Sequence, residues 1–449
     1  MIGQPKTSNI RSRNEENSRT GSNLTLIGLM TLLTLMLIAS VTSFDLVQAA
    51  PPKAGPATNV SWRYDGTGQF PNITPPDEWA SDKNVRWRTS VDAGGYSSPI
   101  VAGNRIFITA EMGSLLCLDL NDGRLLWKKD LFSVDSPDIP KELSSKLMRG
   151  CGGDSKQSTP TPTSNGQLVF SINAMGLCAC YDLQGNQKWI QILETAGDEE
   201  YFSSSPVFHG DRIILTWGCL LAIDVNSGKT VWKTNEALPT HGTPLVTRIG
   251  EIDVIITPGG NIVRLADGEI LCSGLFESTF TTPMVVGDVL YVIDGKPRAY
   301  RLPNTIEKGM RPKDLWSGKL KGAFMASPAY HDGLIYTIES QKSRVHILDA
   351  KTGADVTARM NETPVSTETG APVEGLARVQ FTYASPVATE RAIYFFDDSG
   401  NTAVLESGHD HRVKRINKLD GGIVGTPFFI DDKIIFRTND SVTCIGKQP

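Results

Sequence analysis

Eight times along the chain a small hydroxyl residue is followed by proline and then by an apolar stretch: Ser98-Pro99, Thr159-Pro160, Ser205-Pro206, Thr243-Pro244, Thr282-Pro283, Ser327-Pro328, Ser385-Pro386 and Thr426-Pro427. The mean interval is about 47 residues, the length of a four-stranded propeller blade. A repeat of that period stacks similar small sheets side by side, so the two or three domains that a 449-residue chain would otherwise suggest give way to one repeat array.

The first unit shows the plan. Pro99 to Ala102 reads as a short strand, Gly103-Asn104 as a turn and Arg105 to Ala110 as a second strand. Ser114 to Asp119 is a third strand, Asn121-Asp122-Gly123 a turn, and Arg124 to Lys129 a fourth. Proline fits the first position of such a strand, where its missing N–H breaks no ladder bond. The corner between strands three and four is the most regular element. Asp119, Gly123 and Trp127 recur at the same spacing as Asp224, Gly228 and Trp232, and one residue shorter as Asp182, Gly185 and Trp189. Asp accepts hydrogen bonds from backbone N–H groups within the turn, and Gly takes the positive φ of a tight corner. The tryptophan then buries apolar area against the neighbouring blade. These residues are structural. The corner decays later: Leu265-Ala266-Asp267-Gly268 is followed by Cys272 in the tryptophan position, and Asp349 to Gly353 has no aromatic partner, so weaker docking is expected there.

From Thr426 to Cys444 the last unit supplies only three strands. Val85-Arg86-Trp87-Arg88 resembles a stray fourth strand, which would complete the last blade and remove its exposed sheet edge. The expected fold is therefore all-β: an eight-bladed propeller of four-stranded antiparallel blades over 85–449, closed by an N-terminal strand.

Ahead of the ring, 1–49 reads as a secretory signal. Lys6, Arg11, Arg13 and Arg19 precede an apolar run from Leu24 to Val41, and Val47-Gln48-Ala49 suits signal peptidase. An uncleaved membrane anchor is the alternative. Residues 50–84 read as a Pro/Ala/Gly-rich linker from Pro51 to Asn59 and an N-terminal extension. Two insertions stand outside the repeat: Ile139 to Met148, a helical turn or two leading into the loop Gly150-Cys151-Gly152-Gly153, and Met360 to Ala377. The net charge of −5 and the lack of a Lys/Arg block argue against nucleic acid as a partner. Of seven cysteines, Cys117, Cys178, Cys180, Cys219 and Cys444 lie in apolar strands and read as buried thiols. Spacing alone fixes no disulfide pairing. No Cys-x-x-Cys-His is present for c-type haem, and no cysteine follows the apolar run for lipidation.

The repeated corner with its tryptophan, and the eightfold count, resemble the docking repeats of pyrroloquinoline quinone (PQQ)-dependent alcohol dehydrogenases. They equally resemble the non-catalytic BamB-like propellers of the outer-membrane β-barrel assembly machine. The resemblance covers roughly Trp62 to Gly446. The opening Trp62-Arg63-Tyr64-Asp65-Gly66 and the closing Phe436-Arg437-Thr438 with Val442, Cys444 and Ile445 look most like exported PQQ-repeat proteins of planctomycete-type bacteria. Likeness to the enzymes would imply PQQ and calcium with a carboxylate base. This chain departs from them: it has no adjacent cysteine pair, since Ala179 separates Cys178 and Cys180, and no matching metal-ligand set. Likeness to the assembly propellers implies an exported scaffold without an active site, with protein or peptide partners in the periplasm or cell envelope. Membrane contact would come only through the N-terminal segment if uncleaved.

Residues just before each Ser/Thr-Pro start the innermost strands, so their side chains can line the central funnel: Tyr96, Lys156, Gln157, Phe202, His241, Phe280, Phe324, Met325 and Tyr383. Such a funnel could take a planar or peptide-like ligand. His409-Asp410-His411 shows no third metal ligand, and Cys151 reads as an ordinary loop cysteine. No catalytic residue, metal or cofactor is expected. The leading reading is a partner-binding scaffold in envelope or outer-membrane protein assembly. The alternatives are a PQQ- or metal-dependent oxidoreductase and a carbohydrate-binding or sensory propeller.

Overall fold

A computed structural model of the chain describes residues 59–447 apart from 92–93, 112, 132–136, 143–159, 174–175, 194–203, 236, 238–239, 358–370, 373–381 and 408–411. The signal or anchor segment, most of the linker and both insertions except their edges lie outside the described residues, as do Cys151 and His409 to His411.

Among the described residues, thirty-two strands form eight four-stranded antiparallel sheets. The first blade comprises Ile100–Ala102, Arg105–Ala110, Ser114–Asp119 and Leu125–Asp130, within one residue of the expected bounds. Its second and third strands are apolar along nearly their whole length because a neighbouring blade covers each face; the outer strand mixes half-buried and exposed positions. The last blade contains Phe428–Ile430, Lys433–Arg437 and Ser441–Gly446, and its fourth strand is Val85–Ser90, with Trp87 opposite Cys444. The ring thus closes as the sequence implies.

Why each unit begins with a hydroxyl becomes clear at the channel wall. The backbone N–H of Ser98 donates to Thr161 Oγ1, Thr161 to Ser205 Oγ, Ser205 to Thr243 Oγ1 and Thr243 to Thr282 Oγ1. The circle continues from Thr282 to Ser327, Ser327 to Ser385, Ser385 to Thr426 and Thr426 back to Ser98. All eight bonds span 2.9–3.1 Å. Each blade's innermost N–H has no strand partner on the channel side, and the next blade's hydroxyl supplies the acceptor. The member from blade two is Thr161, two residues beyond the Thr159 read from sequence; the run Thr159-Pro160-Thr161-Pro162 offers the motif twice, and only the circle distinguishes them.

At the outer rim the tryptophans dock blade to blade. The indole N–H of Trp87 donates to Leu120 O, and those of Trp127, Trp189 and Trp232 donate to Leu183, Val225 and Leu265 O, at 2.7–3.1 Å. Each ring lies on the corner glycine of the next blade. At Gly228, φ is +73° and a Cβ would come within 2.6 Å of the Trp189 ring, so this position excludes any side chain. Inside the corners, the Asp119, Asp182 and Asp224 carboxylates accept from Asn121, Gln184 and Ser227 N–H.

The corner at Asp349 to Gly353, expected to be weakly held, is covered by a tryptophan that the pattern did not reveal. Trp316 donates to Ala350 O at 2.9 Å and packs on Gly353. It was hidden because a longer loop, with no Asp-x-x-x-Gly corner, precedes its strand Lys313–Ser317. Where Cys272 replaces tryptophan, polar groups take over: Tyr300 Oη donates to Leu275 O, Lys308 pairs with Glu269, and the Arg311 guanidinium donates to Ser273 and Gly274 O. The six described cysteines, Cys272 among them, are buried free thiols.

Residues 60–84, grouped with the linker on sequence grounds, are woven into the ring. Val60 pairs with Ser164 of blade two. Arg63, 2% exposed, crosses to donate to Pro328 O and Pro386 O of blades six and seven, and Phe70 N–H reaches Ala388 O. Burial lowers the Arg63 pKa to about 9 against the pull of Asp65, so the guanidinium still carries its charge at neutral pH. Phe70 packs on Phe428 and Phe429, while Trp79 lies beside Tyr394 and Phe436. This segment therefore spans the channel and wedges the seam where the ring closes.

Thr243→Val keeps the shape of the side chain but leaves Ser205 N–H unpaired. It should destabilise the protein by about 1–3 kcal/mol, and Thr243→Ser should be close to neutral, in matched urea titrations. Trp316→Ala should cost about 2–4 kcal/mol, below the fully buried range because the side chain is only partly buried, and should lower the melting temperature accordingly. A chain starting at residue 85 should melt roughly 5 °C or more below one starting at residue 59, since Phe70 and Trp79 each bury a large aromatic surface.

Candidate functional site

The inner strands run from the channel mouth, through the hydroxyl circle, toward the segment formed by Val60 to Arg63. The residue two positions before each circle hydroxyl is separated from it by one full strand period, so its side chain faces the same channel. In the described blades those residues are Tyr96, His241, Phe280, Met325, Tyr383 and Val424, and all six line one cavity of about 410 Å³ together with six of the eight circle residues. On the far side of the circle Trp62 contributes to the lining, held between the Val60–Ser164 bridge and the Arg63 contacts with blades six and seven. The channel is thereby a cup with Trp62 at its base.

His241 stacks face to face on Phe280, with ring centroids 4.8 Å apart and planes 7° from parallel. Its backbone N–H donates to Thr279 O, which fixes the ring at the mouth. Burial pushes the imidazole pKa below its ordinary value, favouring the neutral ring at physiological pH. Opposite, Tyr96 and Tyr383 meet edge to face at 5.7 Å.

Of the funnel residues expected from sequence, Tyr96, His241, Phe280, Met325 and Tyr383 are brought together. Phe324 is not: it is 5% exposed and packs near Leu320, Ile335 and His346, because successive strand residues point to opposite sides and Met325 holds the channel-facing position. Lys156, Gln157 and Phe202 lie outside the described residues. Sequence reasoning missed Trp62, Val424 and the circle hydroxyls as lining groups. The hydroxyls did carry a signal, recurring before every proline; Trp62 carried none, since its segment belongs to no repeat.

The described lining does not suit a tricarboxylate quinone with calcium. Among the described residues no Lys, Arg, Asp or Glu lines the cavity, so neither the quinone carboxylates nor a divalent cation would find a charged partner. No group of three His, Cys, Asp or Glu side chains suited to a metal ion occurs among the described residues. What the cup offers is stacking surface and neutral hydrogen-bonding oxygens.

Comparison with known proteins identifies the family. The family model described as "Outer membrane protein assembly factor BamB" matches residues 78–138 and 154–359. The BamB protein of Burkholderia pseudomallei (strain K96243) is 26% identical over 334 residues, covering 67% of this chain and 86% of that protein. The BamB protein of Moranella endobia (strain PCIT) is 23% identical over 384 residues, covering 77% of this chain and 84% of its own length. Among solved structures, BamB from Moraxella catarrhalis superposes with a TM-score of 0.57 at 14% identity over 80% of this chain and 96% of that one. The computationally designed Ika8 protein gives 0.54 at 11% identity over 81% and 99%. At these identities the structures speak to fold alone. The family match, extending over more than half of the chain and through its repeated blades, establishes that this protein belongs to the PQQ-like-repeat propeller family described as outer membrane protein assembly factor BamB.

Proposed function

We propose that this protein is an exported, non-catalytic scaffold that binds protein partners during the assembly of outer-membrane proteins. The observation that carries this reading is the family match across the blades, joined by relatives that bear the assembly-factor name and align over most of their length. Export is supported by the basic, apolar and small-residue order of residues 1–49. The neutral cup fits a binding role better than quinone chemistry, and PQQ and calcium are not proposed as ligands. A ring closed at its inner wall, outer rim and seam changes shape little on binding, which limits the entropy lost when a partner docks.

Deleting the gene in its native cell should lower the level of outer-membrane β-barrel proteins and raise outer-membrane permeability, with both restored by the full-length chain. Unchanged outer-membrane protein levels would overturn the assembly role. Saturable one-to-one binding of PQQ with calcium to the purified protein, accompanied by alcohol oxidation, would replace it with the dehydrogenase reading.

A further inference from the structure

We propose that the central cup is a receptor for one uncharged aromatic side chain, tyrosine or tryptophan, presented on an exposed segment of a protein partner; this rests on the reading above that the partners are proteins.

Three observations converge. First, among the described residues the exposed aromatic side chains are Tyr96, Phe280 and Tyr383, at 42, 37 and 45% exposure, and all three surround this one mouth. Exposed aromatic surface gathered at a single concavity marks a contact site, whereas scattered apolar residues do not. Second, the described lining is free of charge, so an ionic group entering the cup would lose its hydration without a partner. Third, each circle hydroxyl receives one backbone N–H on an oxygen that has two lone pairs, and its own proton is a donor. The wall can therefore accept from an indole N–H or a phenol O–H while the rings of His241, Phe280, Tyr96 and Tyr383 stack or meet edge to face with the aromatic body.

Size and depth narrow the occupant. About 410 Å³ lies near the lower end of the roughly 300–1,000 Å³ of ligand sites, room for a large side chain and not for a folded element. Trp62 at the base leaves entry from the mouth, so a partner inserts a side chain and does not thread its backbone through the ring.

The test uses the full chain and acetylated, amidated pentapeptides Gly-Ser-Xaa-Ser-Gly in which Xaa is Trp, Tyr, Leu or Glu, followed by ligand-observed NMR titration. The Trp and Tyr peptides should bind at least tenfold more tightly than the Leu peptide, and the Glu peptide should show no saturation. The triple variant Tyr96→Ser, Phe280→Ser, Tyr383→Ser removes exposed side chains; it should keep the parental melting temperature and lose the Trp and Tyr peptides by tenfold or more. Equal binding of the Leu and Trp peptides, or unchanged binding by the folded triple variant, would overturn the proposal. Complementation of the gene deletion separates this inference from the assembly reading. The triple variant should fail to restore outer-membrane protein levels at normal abundance. Full restoration by a variant that no longer binds the peptides would overturn the cup as a partner receptor and leave the assembly role standing. A deletion without effect on those levels, with aromatic peptides still bound by the purified chain, would overturn the assembly role alone.

Discussion

The circle of eight backbone N–H groups donating to eight hydroxyls is the constraint from which the rest of this structure follows. An antiparallel meander satisfies its own polar groups except along its free edges, and in a propeller the innermost edge faces a narrow channel. A buried N–H without an acceptor costs about 1–3 kcal/mol, and eight of them would consume much of the marginal stability of a folded chain. By assigning each N–H to the next blade's Ser or Thr, the chain satisfies the edge and fixes the lateral register of neighbouring blades in one contact. Serine and threonine serve equally because the bond uses only the hydroxyl oxygen.

The outer rim repeats that logic with larger groups. A tryptophan on the outer strand covers the glycine corner of the next blade and hands its N–H to a carbonyl there, so burial and a satisfied donor arrive together. Where tryptophan is missing at Cys272, Tyr300, Lys308 and Arg311 hold the seam by hydrogen bonds and an exposed ion pair. The seam where the first and last described strands pair is reinforced by further packing. Val85–Ser90 completes the last blade, Trp79 fills the space beside it, and Phe70 packs beneath.

These contacts also make the candidate site. Because the circle sets the phase of the inner strands, the residue two positions earlier reaches the mouth in each of the six blades where it is described, and there the sequence happens to place rings and neutral side chains. Because the closing segment crosses the channel, the opening becomes a cup. The depth of the cup is thus a by-product of how the ring is closed, whereas the neutrality of its described lining comes from the side chains that stand two positions before the circle.

By itself the sequence determined the blade count, the strand bounds of the first blade, the Asp and Gly corners, four of the five docking tryptophans and closure by a strand at Val85 to Arg88. Each of these is written in local spacing, where period-two alternation and turn residues act within a few positions of one another. It also showed five of the mouth residues, since they stand beside a recurring motif. What it left undecided depends on partners far away in the chain. Thr159 and Thr161 carry the same local signal and are told apart only by Ser98 and Ser205. Phe324 and Met325 differ by one strand position, and which of them faces the channel depends on the phase imposed by the circle. Trp316 lacks its local corner, and the path of Trp62 and Arg63 is set by carbonyls 265 and 323 residues away. Short-range geometry built the blades; only the closed ring, by fixing which buried donor meets which distant acceptor, decided what lies in the channel.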